Sequence, residues 1–469
     1  MRQAVCRIAA IGVVAAFAVI VSTSARGADE ASPHWQAGAA AVVITPEEPT
    51  WMAGYASRDK PSEGKFQDLF AKALALEDSQ GTPLVIVTLD LIGIPRALRE
   101  ELENEVREKY QLPPAGLLIN ASHTHSGPVV RAERSAVYHL TPEQGEQIQK
   151  YVAGLKEKLV DVMGAALDDL GPATLGYSRA RAGLAMNRRL PTDRGYRNSP
   201  YPDGPVDHDV PVLRVERPDG TLRAVLFGYA CHSTTLGLYE FCGDYGGYAQ
   251  EYLEEIYPDA VAMFMAGCGG DQNPYPRGTL ERAQQHGRTL ATAVEAALLP
   301  QPVPLAGPLG VAIEAVALEF ASIPSREELT GLAESSNRFA QRRGTLLLEE
   351  LDEKGHLRES YPYLVQVVQF GPDLTLVALG GEVVVDYSLR LKREFAGRAV
   401  WVAGYSNDVF AYVPSKRVLA EGGYEADGAV LYTTLSGPFA PSLEDRIVGK
   451  VHEMAEKLLA ELPRDDAQR

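Results

Sequence analysis

The segment that most constrains this chain is Leu117-Leu118-Ile119-Asn120-Ala121, followed by Ser122-His123-Thr124-His125-Ser126-Gly127-Pro128. A short apolar run of this length reads as a buried strand, and Gly127-Pro128 stops it. Two imidazoles one residue apart are left at the strand exit, where sites in α/β sheets form. Neutral imidazole is the commonest transition-metal ligand. Alternate residues at such an exit can put one ring on a metal and the other beside it.

The pattern recurs along the chain. Residues 39–44, 71–76 and 84–89 read as strands, the last ending at Asp90. Residues 94–110 place Leu98, Leu102 and Val106 on one face at helical spacing, with Pro95 suited to the first turn. Thr141-Pro142-Glu143-Gln144 is an N-cap with glutamine at the capping-box position, opening a helix to about Asp168. Strands are expected at 222–230, ending at His232, and at 260–266, ending in Gly267-Cys268-Gly269-Gly270-Asp271-Gln272-Asn273-Pro274. A helix over 280–298 precedes Pro300, Pro302, Pro304 and Pro308, and strands resume at 309–320, 364–370, 374–379 and 400–405. Residues 326–353 read as a charged helix with a solvated outer face, and 442–462 as a closing amphipathic helix. Residues 187–209, rich in Pro, Arg, Asp and Gly, show no periodicity and read as a long loop, functional or disordered. Alternating strands and helices predict an α/β fold: a single large domain of mixed β-sheets flanked by helices.

The chain opens with Arg2 and Arg7, an apolar stretch over 8–21, and the small residues Ser22, Ser24, Ala25 and Ala28. The stretch is shorter than the roughly 20 residues a spanning helix needs. Residues 1–28 therefore read as a signal peptide and 29–469 as one exported domain, secreted or periplasmic, with no later transmembrane segment. The net charge of −17 argues against nucleic acid and against electrostatic adhesion to anionic lipid. After Cys6 only Cys231, Cys242 and Cys268 remain, an odd count that gives no full disulfide framework. Cys231 and Cys242 flank one short segment and could pair if geometry allows.

Of nine histidines, His34, His139, His286, His356 and His452 lie in polar or helical contexts and read as surface residues. His208, in Asp207-His208-Asp209, reads as part of a hydrogen-bonding cluster. His123, His125 and His232 each follow an apolar strand, and Glu382 follows another through Gly380-Gly381. A metal needing three or four ligands would complete its set from carboxylate or phenolate oxygens. No Gly-x-Ser-x-Gly elbow is present, which argues against a serine hydrolase. A barrel amidohydrolase would need more strand-end histidines than His232.

These residues resemble the catalytic domain of the neutral/alkaline non-lysosomal ceramidases, which are zinc-dependent amidases. The resemblance runs over residues 38–462 and rests chiefly on Ser122 to Pro128 and on Tyr412-Val413 with Tyr424-Glu425 following. Met52-Ala53-Gly54-Tyr55, Asn187-Arg188 and Ala230-Cys231-His232-Ser233-Thr234 also match. It implies zinc ligands His123, His232, Glu382 and Tyr412, with His125, Arg188 and Tyr424 facing the substrate amide. Such a site would activate water and polarise a carbonyl, while Arg188, His125 and Tyr424 stabilise the oxyanion or protonate the leaving amine. Asn273 stands where the family has a catalytic serine; asparagine can donate to an oxyanion but cannot act as a nucleophile. The domain is also expected to lack the family's C-terminal β-sandwich. The expected function is a secreted zinc amidase acting on a small N-acyl amide, a lipid among the candidates. The alternative is a catalytically altered member that binds metal or ligand without turnover.

Overall fold

The computed structural model describes residues 35–131, 137–138 and 140–462. The signal peptide expected over 1–28, and His34 and His139, lie outside the described residues. Two sheets pack against each other. The larger follows the order Val261–Ala266, Leu222–Tyr229, Asp209–Glu216, Gly171–Arg181, Trp35–Val43, Phe70–Asp78, Pro83–Leu89 and Leu117–Ala121, with Val303–Pro304 pairing beside Gly171–Arg181. The smaller runs Leu309–Glu319, Ser360–Phe370, Leu374–Leu379, Ala399–Ala403. Leu74, Ile86, Leu118, Leu226 and Met263 of the first meet Val368, Phe370, Leu376 and Trp401 of the second. Each such side chain contributes about 1.5–3 kcal/mol by leaving water.

Helices cover both outer faces. Arg96–Tyr110 with Pro142–Asp168, and Asp244–Ile256 with Leu280–Leu298, lie on the larger sheet, while Asp386–Glu394 and Leu443–Glu461 lie on the smaller. The expected capping box is present: Gln144 N donates to the Thr141 hydroxyl and Thr141 N donates to the Gln144 carboxamide. The α/β class read from the sequence is the observed one, and no helix among the described residues is long and apolar enough to cross a membrane.

Most long-strand pairs are antiparallel, but Pro83–Leu89 runs parallel to Leu117–Ala121, Leu222–Tyr229 to Val261–Ala266, and Leu374–Leu379 to Ala399–Ala403. Parallel neighbours bring their C-terminal ends to one side, and the loops leaving these ends meet. Asn120, polar inside an apolar strand, makes the junction. Its amide nitrogen lies 2.7 Å from Gly404 O, 3.1 Å from Ser406 Oγ and 3.2 Å from Ala266 O, and its oxygen accepts from Ala266 N at 2.8 Å. From the other sheet Asn407 answers it, accepting from Ile119 N at 3.2 Å while its own N–H donates to Ile119 O at 2.7 Å.

Several expectations are corrected. Residues 187–209 are not a loop: Ala185–Thr192 and Gly195–Tyr201 form an antiparallel hairpin, and the strand Asp209–Glu216 follows. Residues 326–353 are two helices, Arg326–Ala333 and Arg338–Lys354, because Asn337 caps the second by accepting from Phe339 N and Ala340 N. His286 is buried, its Nε2 on Pro276 O at 2.6 Å. Cys231, Cys242 and Cys268 are all free and buried.

Candidate active site and metal centre

His123 lies two residues beyond the strand Leu117–Ala121 with a left-handed backbone, φ 57°, unusual for any residue but glycine. That turn aims its ring inward, where Tyr405 packs against it with centroids 4.4 Å apart. His123 Nδ1 meets Ile92 O at 2.6 Å, and His232 Nδ1 meets Gly269 O at 2.7 Å. A carbonyl can only accept, so both Nδ1 atoms carry a proton, and in a neutral ring that leaves the lone pair on Nε2. Glu382 arrives from the smaller sheet through Gly381, φ 73°, where a Cβ would meet Ala411 O at 2.7 Å. Its Oε2 lies 3.2 Å from each Nε2.

His125 Nε2 is 3.2 Å from His123 Nε2, and its Nδ1 is buried without a partner. Its ring packs on Gly54, where a Cβ would come within 2.5 Å of it; Met52-Ala53-Gly54-Tyr55 is thus the wall behind this imidazole. Arg58 Nη2 holds the His125 carbonyl at 2.9 Å. The three imidazoles could hold a metal ion. Burial, with Arg188 next, lowers the His232 imidazole to about 4, and burial with the neighbouring rings lowers His125 well below its usual value. Three convergent imidazoles beside a carboxylate, one of them with an orphaned buried nitrogen, form a donor set that fits a divalent cation.

Tyr412 sits on Tyr412–Val413, which pairs with Glu382–Val383, and its hydroxyl is 3.3 Å from His232 Nε2. Burial pushes the Tyr412 phenol well above its usual value, with Arg188 opposing. Arg188 comes from the hairpin that the sequence did not reveal. Its Nη2 donates to Tyr412 OH at 2.9 Å, and its Nη1 lies 3.3 Å from His232 Nε2 and 3.2 Å from Asn273 Oδ1. Asn273 belongs to Gln272–Pro274, which pairs with Ala185–Thr192 and places Asn273 opposite Met186. Its Oδ1 also accepts from the Thr234 hydroxyl at 3.3 Å, while Nδ2 is buried and unpartnered.

A cleft of about 380 Å³ opens above the site, lined by His123, His125, Glu382, Tyr412 and Tyr424 and by apolar residues including Val129, Val130 and Phe410. Tyr424 is 41% exposed at its mouth; its ring meets Tyr412 edge-on at 5.4 Å. Arg188, His232 and Asn273 lie buried beneath the cleft. All eight site residues expected from the sequence therefore gather in one place. Sequence reasoning missed Tyr405, Asn120 and Glu425. The signal for Asn120 was there: an amide inside an apolar strand must find partners.

Residues 35–289 match the family model for the N-terminal region of neutral/alkaline non-lysosomal ceramidases. The crystal structure of a neutral ceramidase from Pseudomonas aeruginosa is similar with a TM-score of 0.72 at 21% identity, covering 92% of this chain and 76% of that one. A ceramidase complexed with C2 gives 0.71 at 22% identity over the same shares. At such identity the likeness speaks for the fold. No curated protein matches the chain. The family model spans more than half of the sequence, and the chain belongs to the neutral/alkaline non-lysosomal ceramidase family.

Proposed function

We propose that this protein is an exported zinc-dependent amidase that cleaves the N-acyl bond of a small, partly apolar amide. The observation that carries the reading is the convergence of His123 Nε2, His232 Nε2 and Glu382 Oε2, with both Nδ1 atoms fixed by backbone carbonyls. His123, His232, Glu382 and Tyr412 would hold the ion. Zinc bound there lowers the pKa of a water towards ~7 and polarises a carbonyl.

The remaining chemistry belongs to the chain. His125, neutral and facing the same space, takes the proton of the attacking water at Nε2. Arg188, Tyr424 and the free N–H of Asn273 supply donors for the oxyanion that develops on the carbonyl oxygen. As the C–N bond breaks, His125 returns the proton to the leaving nitrogen, giving a free amine and a carboxylic acid, which then loses its proton to solvent. The apolar cleft walls suit the acyl chain. Ceramide fits this class as one member. The signal-like N-terminus supports a secreted or periplasmic site of action.

The test is amine release from N-acylsphingosine, N-acyl amino acids and short peptides by the zinc-loaded and the chelated protein. Turnover on at least one, lost on chelation and restored by zinc, is expected. Asn273 favours a second reading, a member that binds without turnover, because its oxygen is engaged by Arg188 and Thr234 and it offers no nucleophile. Metal uptake with no amine release from any substrate would establish that second reading instead.

A further inference from the structure

Tyr424 and Glu425 are neighbours in the chain but face opposite ways. Tyr424 stands in the cleft mouth, whereas Glu425 is only 3% exposed. Glu425 Oε1 accepts from Arg188 Nε at 2.8 Å and Oε2 from Arg189 Nη1 at 2.6 Å. Arg188 and Arg189 are consecutive on Ala185–Thr192 and are 4% and 2% exposed. One carboxylate thus lies between two buried guanidinium groups. Arg189 has further acceptors in Glu421 and Gly422 O. Among the described residues Arg188 bonds no carboxylate but Glu425, and its other N–H groups all face the site: His232 and Asn273 through Nη1, Tyr412 through Nη2.

A guanidinium is planar, so fixing Nε fixes the direction of both Nη groups. The consequence reaches Asn273. A guanidinium offers no acceptor, so Nη1 selects the Asn273 oxygen, which leaves Nδ2 on the far side, buried and without a partner.

We infer that Glu425 is a positioning residue: it holds Arg188 with both Nη groups facing the site and, through Arg188, turns the Asn273 N–H groups towards the substrate. The inference rests on the amidase reading above and adds to it a residue that touches neither substrate nor metal. Glu425 acts through Arg188, so its loss alters how the transition state is met more than how the substrate binds.

The experiment uses the zinc-loaded protein and its Glu425→Gln variant, each with Arg188 and with Arg188→Met. If Glu425→Gln folds poorly, Glu425→Gln/Arg189→Met restores the balance of buried charge and replaces it. Zinc content and KM should change little, while kcat falls roughly tenfold to a hundredfold. In the Arg188→Met background the same change should cost less than about threefold, because coupled residues are not additive. Equal losses in both backgrounds, or wild-type kcat, would overturn the inference. Dodecanoate, a carboxylate of the product class, gives a readout without turnover. Its binding by calorimetry should weaken about tenfold in the variant, since a charge-assisted bond loses its alignment. Unchanged binding, or none by the wild type, would also count against Glu425. A wild type that cleaves no amide would refute the amidase reading, and the dodecanoate result alone would then decide the role of Glu425.

Discussion

The nitrogen and oxygen sides of the site are held in different ways. His123 and His232 leave the larger sheet and are 2% and 0% exposed, each with its second nitrogen on a backbone carbonyl. Glu382 and Tyr412 leave the smaller sheet on paired two-residue strands. Their hydrogen-bond partners are side chains: the two imidazoles for Glu382, Arg188 and His232 for Tyr412. The imidazoles are therefore preorganised by the main chain, while the oxygen groups keep room to adjust. Preorganised donors should carry most of the affinity, and adjustable ones should tune it.

The largest effects test that division. His123→Ala or His232→Ala should weaken zinc binding by more than about a hundredfold, and Tyr412→Phe by roughly tenfold, in a chelator competition. Equal losses would erase the difference between the two sides. Next comes the imidazole that stands apart. His125→Ala should keep its zinc and lose about 10²–10⁴ in kcat. Asn273→Ala should lose about 10²–10³, also with zinc retained. If His125→Ala lost zinc as His123→Ala does, all three imidazoles would be ligands and the smaller sheet's part would shrink.

A third prediction concerns the pins between the sheets. Asn120→Ala removes an amide that accepts from Ala266 N and reaches Ala266 O, Gly404 O and Ser406 Oγ, leaving the buried Ala266 N–H without that acceptor. It should cost about 2–4 kcal/mol in denaturant unfolding and loosen zinc binding, because both halves of the donor set lose their register. Unfolding unchanged from wild type would show that packing alone aligns the sheets.

The smallest effect comes from Asp90, another polar group at a strand exit, which follows Pro83–Leu89 but accepts from Phe70 N at 3.0 Å and from Gln250 Nε2 at 3.5 Å. Burial raises its carboxyl to about 6, with the Phe70 N–H opposing. A folded-state pKa above the ordinary value means that ionisation favours the unfolded chain. This contribution to stability is greatest below about 4, falls as pH rises towards about 6 and is constant above. Asp90→Asn should flatten that slope, by at most on the order of 3 kcal/mol, in melts from pH 4.5 to 7. Parallel curves for the two proteins would contradict the assignment of Asp90 as a purely structural exit.

Much of this contrast was legible in the sequence. Apolar runs closed by His123, His232 and Glu382 are strand exits because burial demands the run and the following turn frees the side chain. The helix opened by Thr141 was legible because its cap is local. The hairpin carrying Arg188 was not. Arg188, Arg189, Arg197 and Asn198 break any alternation of apolar and polar residues, and what holds the strand is non-local: Glu425, Glu421 and the pairing with Gln272–Pro274. His286 misled for a similar reason, since its helix packs against Asp244–Ile256, which buries the ring. Local signals survive in a sequence, while partners brought by topology do not.

The most direct test of the two-sided site is anomalous diffraction at the zinc edge from crystals of the zinc-loaded protein. One peak should lie in contact with His123 Nε2, His232 Nε2 and the Glu382 carboxylate, with His125 outside coordination distance. A peak enclosed by His123, His125 and His232, with Glu382 turned away, would contradict the claim that both sheets contribute ligands.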